Sequence, residues 1–459
     1  MAGGKGGIRA RTAYMGFAAF GAFWGVWGAS VPAIRAQAEL GDGQLGTALL
    51  FVGAGALPAM LVTGRAVDRW GLRVAAFLLV TLGAVGTLVA VAGRDFWSLS
   101  AGLALLGASS GAADVAINAA AASAERASGR PVITRAHGTF SAMVVVGSLS
   151  AGLLLGGLGV PVVVPFLLVA ATSAGAALTV AADRRTASVA EGAVREAAGV
   201  PFVGGSAAPD TLKAAPVNEK TAPVPARTAS AAENAEDAED AVPDAAGAAR
   251  GRHVIRLFPL LVVGGLGALA FAVENAHQSW GAVYLADVAG AGPALASAGP
   301  AVFAAVVALT RFAAGALGSR YATVVLISGA VAAAAGTLLV SGARSVPVVL
   351  LGLALAAAGT AVLFPTLMGV VAAQVGEAAR GRATSVVATV AYLGFLAGPV
   401  YVGRWAETTG LSGAMVAVAA LAIALAALSW PALRTAVHTG SPWDRGDLHH
   451  TEKISGRTP

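Results

Sequence analysis

Runs of apolar residues, each about the length of a bilayer-crossing helix, occupy most of this chain and fall into two groups of six. A hydrocarbon core of about 30 Å takes roughly twenty helical residues. On that ruler, spans are expected near 12–33, 44–64, 74–93, 97–121, 135–157 and 161–182, then near 256–279, 293–314, 322–342, 346–371, 384–404 and 411–431. Only 12% of the residues are charged, against about 25% in soluble proteins. The sequence therefore predicts an all-α membrane protein with twelve transmembrane helices in two six-helix pseudo-repeats.

The segment between the groups differs in kind. Residues 183–255 are rich in Ala, Pro, Glu and Asp and have no sustained apolar face, so they cannot bury enough surface to offset ordering entropy. The expected organisation is a first half at 1–182, a disordered cytoplasmic linker at 183–255, a second half at 256–431 and a cytoplasmic tail at 432–459. The chain contains no cysteine, which excludes disulfides and thiolate metal sites. Its six histidines follow no metal-ligand spacing, and no cofactor is implied beyond a proton gradient. The formal charge is +6. Its basic residues sit at span ends, as membrane topology requires, so no nucleic-acid partner is expected.

Orientation follows from Lys and Arg near the short loops. With the N-terminus inside, thirteen fall on the cytoplasmic face, Arg311 among them, and four on the other, namely Arg35, Arg94, Arg344 and Arg404. Both termini are then cytoplasmic, in a multi-pass protein expected in the bacterial inner (plasma) membrane.

Between the second and third spans lies GRAVDRWGLR, Gly64 to Arg73. A charged, glycine-pinned turn here must lie at a membrane surface. The pattern resembles the loop between helices 2 and 3 of major facilitator transporters, with Gly64, Asp68, Arg69, Gly71 and Arg73 on its positions and Leu72 replacing a basic residue. The resemblance implies the major facilitator fold, with two halves rocking around a central site. Asp68 is expected to accept hydrogen bonds at a helix N-terminus and so bias one gate. Gly315 and Arg320 in GALGSRYA repeat part of the pattern after the second span of the second half, with Ser319 in place of the aspartate.

The fourth span carries Asp114 and Asn118, four residues apart and so on one helix face. A mid-helix aspartate costs roughly 2.5–3.5 kcal/mol on insertion scales. Burial disfavours its charged form, which makes Asp114 the candidate proton carrier and Asn118 a polar contact. Glu274, Asn275, His277 and Gln278 form a polar end to the seventh span and are candidate solute contacts. Trp24, Trp27 and Trp280 are expected either to line a cavity or to anchor at the interface. Glu125, Arg130 and His137 are candidates for an ion cluster that rearranges in gating. In the tenth span Gly359 and Pro365, and in the eleventh Gly394, Gly398 and Pro399, mark places where a helix can bend.

A narrower resemblance rests on Asp114, Asn118, Glu125, Gly129, Arg130, Pro131, His137, Gly138, Phe140 and Ser141, with Trp27, Pro32, Arg35, Glu274, Trp280 and Tyr284 in agreement. Together these are similar to the MosC-like subgroup of major facilitators, related to fucose permease-type sugar symporters; Asn275 departs from its pattern. The resemblance implies proton-coupled transport of a small polar solute, sugar or inositol-like, by a monomer in contact with membrane lipids. Efflux of a metabolite or drug, and solute sensing without transport, remain open at this level. No HExxH, no GxSxG with partners and no paired intramembrane aspartates set for hydrolysis point to an enzyme.

Overall fold

A computed structural model describes residues 10–197, 257–314 and 321–437. The bulk of the expected linker, most of the tail, and Gly315, Ser319 and Arg320 lie outside the described residues. Within them every regular element is helical. In the first half these are α1 (Ala10–Gln37), α2 (Asp42–Trp70), α3 (Leu72–Ala92), α4 (Phe96–Ser128), α5 (Val132–Gly152) and α6 (Val163–Ala197). The second half has α7 (Leu257–Asp287), the short α8 (Pro293–Ala296) leading into α9 (Ala298–Ala314), α10 (Ala322–Gly342), α11 (Val346–Ala361) running into α12 (Leu363–Gln374), and α13 (Glu377–Val437).

Eleven helical stretches are long and apolar enough to cross a membrane. The last lies in α13 and is broken at Gly410, where φ is 71° and ψ is 170°. Few residues with a Cβ adopt that conformation, and it turns one helix into two crossings. The total is the expected dozen.

The ends of the helices depart from the apolar ruler. α2 does not stop at Gly64 but carries GRAVDRW as its last turns, so the expected loop shrinks to Gly71, with φ 59°. α4 likewise continues through the Ala-rich, charged stretch to Ser128. Hydropathy marks where a helix leaves lipid; helix propensity lets it continue into water.

Close backbone contact holds each half together. Added Cβ atoms would overlap the Val144 carbonyl at Gly25, between α1 and α5, and the Ala268 carbonyl at Gly394, between α7 and α13. Without a hydrophobic drive inside lipid, small residues that admit such approach supply the packing. The first and fifth crossings of one half and the seventh and eleventh of the whole chain thus meet in the same way, as a repeated six-helix unit requires. Gly394 and Gly398, expected at a bend, sit where α13 lies against the α7 backbone.

Candidate solute pathway between the two halves

Asp114 lies near the middle of α4 and is half-buried. One turn on, Asn118 donates from Nδ2 to the Asp114 Oδ1 at 3.0 Å and to its carbonyl at 2.9 Å. The charge of Asp114 is felt by Tyr392 of α13, across the seam between the halves. Tyr392 belongs to an aromatic group with Phe271, Phe364 and Phe395. Phe271 and Phe364 have ring centroids 4.4 Å apart, and Phe271 and Tyr392 are 5.5 Å apart. A carboxylate–amide pair on one half is thus within electrostatic reach of an aromatic group on the other. These aromatics were missed from the sequence because Phe and Tyr inside apolar runs carry no mark of which way they face. Trp24, half-buried on α1, stands edge-on to Phe20 and Phe23.

The polar stretch expected at the end of the seventh span lies instead near the middle of α7, which continues to Asp287, and divides into two sets. Glu274 is buried, 8% exposed; its Oε1 accepts from Gln278 Nε2 at 3.0 Å and from Arg311 Nη2 of α9 at 3.3 Å. Arg311 also donates through Nε to the Ala361 carbonyl at 3.2 Å. That carbonyl is free because Pro365, four residues on, has no N–H and breaks the helix between α11 and α12. The same logic explains Asn275. Its Nδ2 donates to the carbonyl of Phe395, which Pro399 leaves unpaired. In lipid such orphaned carbonyls must find donors from neighbouring helices. Arg311, counted above with the cytoplasmic loop, thus belongs instead to the membrane interior, because its side chain reaches inward to Glu274.

The second set is core. His277 contacts the Val273 carbonyl through Nδ1 at 2.7 Å and the Thr337 hydroxyl of α10 through Nε2 at 3.0 Å, with its ring stacked on Phe303. Trp280 is fully buried and Trp27 is packed against Phe166 of α6. His277 and Trp27 thus pack within their own halves, and Trp280 is enclosed in the core.

At the face opposite the termini the halves are tied. Arg35 of α1 pairs with Asp287 of α7, and through Nη2 with Asp42 of α2 at 2.8 Å. Nearby, the Glu407 carboxylate of α13 lies on Gly43, while Gly53 meets Leu396. Further along α2, toward the termini, Leu61 and Val62 are 75% and 66% exposed and Gly64 has open space around it. The motif residues lie at this end. Asp68 makes no hydrogen bond or ion pair among the described residues; Arg69 lies over the Trp70 ring at 5.6 Å, and Arg73 is exposed at the start of α3. Glu125, Arg130 and His137 do not cluster. Glu125 Oε2 instead caps α5 by accepting from Ile133 N at 2.9 Å, Arg130 is exposed, and His137 stands edge-on to Phe17.

The family model of the Major Facilitator Superfamily matches residues 12–399 and, overlapping, 267–449. This chain belongs to the Major Facilitator Superfamily. An uncharacterized MFS-type transporter of Yersinia pestis is 26% identical over 406 residues, 86% of this chain and 88% of that one. An uncharacterized transporter of Sinorhizobium fredii is 33% identical over 150 residues, 32% and 38% of the two chains. Among solved structures, a bacterial homologue of the human lysosomal transporter Spinster, inward-facing and unoccupied, superposes with a TM-score of 0.63 at 18% identity, covering 94% of this chain and 97% of that one. A mutant of the nucleoside transporter NupG gives 0.66 at 14%, covering 92% and 99%. Those likenesses establish the fold. The superfamily member is a membrane transporter and not an enzyme.

Proposed function

We propose that this transporter takes up a small, hydroxylated polar solute, sugar- or polyol-like, together with protons, by alternating access across the bacterial inner membrane with both termini in the cytoplasm. The observation that carries the reading is the Asp114–Asn118 pair, set near the middle of α4 and within electrostatic reach of Tyr392 of the other half. A carboxylate there is costly unless it serves ions or solute, and it sits between the two bodies that rock. Its neutral and charged forms interact differently with the opposite wall, which is what couples a proton to a conformational equilibrium. The rings of Phe271, Phe364 and Tyr392 offer faces to a sugar ring. The short motifs similar to fucose permease-type symporters support the same solute class.

Proteoliposomes with an imposed pH gradient test the reading. Wild type should concentrate labelled solute; Asp114→Asn should still exchange it but lose gradient-driven accumulation. Undiminished accumulation by Asp114→Asn would exclude that carboxylate as the proton carrier.

A further inference from the structure

Arg311 is a cation at mid-depth that the reading above leaves unused. Its guanidinium lies beside Glu274 and the Ala361 carbonyl, both near the centres of their crossings. A charge at that depth is tolerated where it is paired or faces a water-filled path. Arg311 is paired, since it holds Glu274, and 46% of its side chain is exposed.

α9 packs on α5 across the seam, where Phe312 would lie 3.1 Å from a Cβ placed on Gly138. His137, the residue before that glycine, is partly desolvated and lies within electrostatic reach of Arg311. A guanidinium from one half and an imidazole from the other thus sit on the two helices that meet there. The contact with Glu274 is a single 3.3 Å approach through Nη2, not a two-point fork, and among the described residues Nη1 has no partner.

We propose that Arg311 anchors an oxyanion, so that the transported solute carries a carboxylate or phosphate group. The planar guanidinium fork matches either group in two-point geometry. Arg311 holds the anionic end from the second half, and Asp114 with Asn118 takes the hydroxyls from the first. An anion held between Arg311 and His137 draws α5 and α9 together, so binding and closure of the seam favour each other. This rests on the reading of the gap between the halves as the solute site, and it adds the charge of the solute.

The test is titration of the purified full-length protein with D-glucuronate, D-glucose 6-phosphate and D-glucose at constant ionic strength, read by tryptophan fluorescence and thermal midpoint. At least one anion should bind about tenfold or more tighter than glucose, because an unmet fork penalises the neutral ring. Arg311→Lys keeps the charge but not the fork and should weaken the anion about tenfold. The double variant Glu274→Gln with Arg311→Gln leaves no buried charge unpaired, should fold, and should weaken the anion about a hundredfold. Equal binding of glucose and the anions, or anion affinity unchanged in both the lysine and the double variants, overturns the inference. The solute site itself stands in those cases if Asp114→Asn still alters binding. If none of the three ligands binds, the inference fails. In nanodiscs, stabilisation by phosphatidylglycerol but not phosphatidylcholine, with no response to soluble anions, gives the anion to a lipid headgroup and likewise overturns it.

Discussion

Arg35 at the end of α1 and Asp287 at the end of α7 form an ion pair that joins the two halves at the face opposite the termini. Arg35 also holds Asp42 and donates from Nε to the Leu40 carbonyl at 3.1 Å. One guanidinium therefore gathers the ends of the first, second and seventh crossings. Exposed single pairs contribute only about 0–1 kcal/mol, and Asp287 is 44% exposed, but the Arg35–Asp287 pair exists only while this face is closed. It biases an equilibrium between conformations more than it stabilises the fold.

Asp287→Asn should therefore open this face. The chain has no cysteine, so spin labels at Ala36→Cys and Leu295→Cys, exposed on opposite halves, report the gap without background. The variant should populate longer distances than wild type, by a factor of about 2–5 in the open population for about 0.5–1 kcal/mol lost. An unchanged distance distribution would show that the close helix contacts at Gly43 and Gly46 hold the face without the ion pair.

A second prediction concerns the start of α4. Asp95 Oδ1 accepts from Trp97 N at 2.9 Å and Ser98 N at 3.0 Å, and the Ser98 hydroxyl donates to Oδ2 at 2.8 Å. The backbone and side-chain hydrogen bonds from Ser98, then that from Trp97, hold the Asp95 carboxyl below its ordinary pKa. A folded-state pKa below the unfolded one means the stabilisation is complete above about pH 4, the ordinary aspartate value, and is lost as pH falls through the folded value. Asp95→Ala should lower the thermal midpoint in detergent at pH 7, and the difference from wild type should shrink toward pH 3. Asp95→Asn, still an acceptor, should lose less than alanine at pH 7.

The architecture was legible because its signal is coarse: twelve apolar runs of the right length, split by one polar segment. Helix ends were not. α2 and α4 continue into water on residues that hydropathy reads as loop, so GRAVDRW is helix and only Gly71 turns. Side-chain direction was harder still. His277 and Trp280 share a polar, aromatic stretch with Glu274, yet His277 packs within its own half and Trp280 is enclosed in the core. Arg311 stands at a span end by sequence, and only the fold shows its side chain running inward. One signal was available. Pro365 and Pro399, two of several prolines inside helical runs, each orphan a carbonyl four residues back, and each of these two carbonyls needs a donor. Arg311 and Asn275 are those donors.

Gly394 offers a sharper test of packing. An added Cβ there would overlap the Ala268 carbonyl, whereas one at Gly369 on α12 meets open space. Gly394→Val forces two backbones apart and should cost about 1–3 kcal/mol or more. Gly369→Ala should raise stability by about 0.5–1 kcal/mol, the helix penalty of glycine. Thermal midpoints of the two variants should move in opposite directions; a shared direction would mean that α7 and α13 yield without strain.

The Glu274–Arg311 pair predicts an asymmetry. Glu274 is buried and Arg311 half-exposed, so the two ends of the pair do not depend on each other equally. Arg311→Gln leaves a carboxylate inside α7 with Gln278 as its remaining side-chain donor, and it also strips the Ala361 carbonyl of its partner. Glu274→Gln leaves a guanidinium that water in the gap can reach. Breaking a wholly buried pair costs about 3–5 kcal/mol, and the exposure of Arg311 reduces this. Arg311→Gln should cost about 2–3 kcal/mol, within the range for hydrogen bonds to charged groups, and Glu274→Gln about 1 kcal/mol, that of an ordinary hydrogen bond. The double variant should be more stable than the sum of the singles implies, with a coupling of about 1 kcal/mol or more. Equal single losses that add in the double variant would mean that the two side chains stand beside each other without holding each other, and that Arg311 owes its place to the proline-freed carbonyl alone.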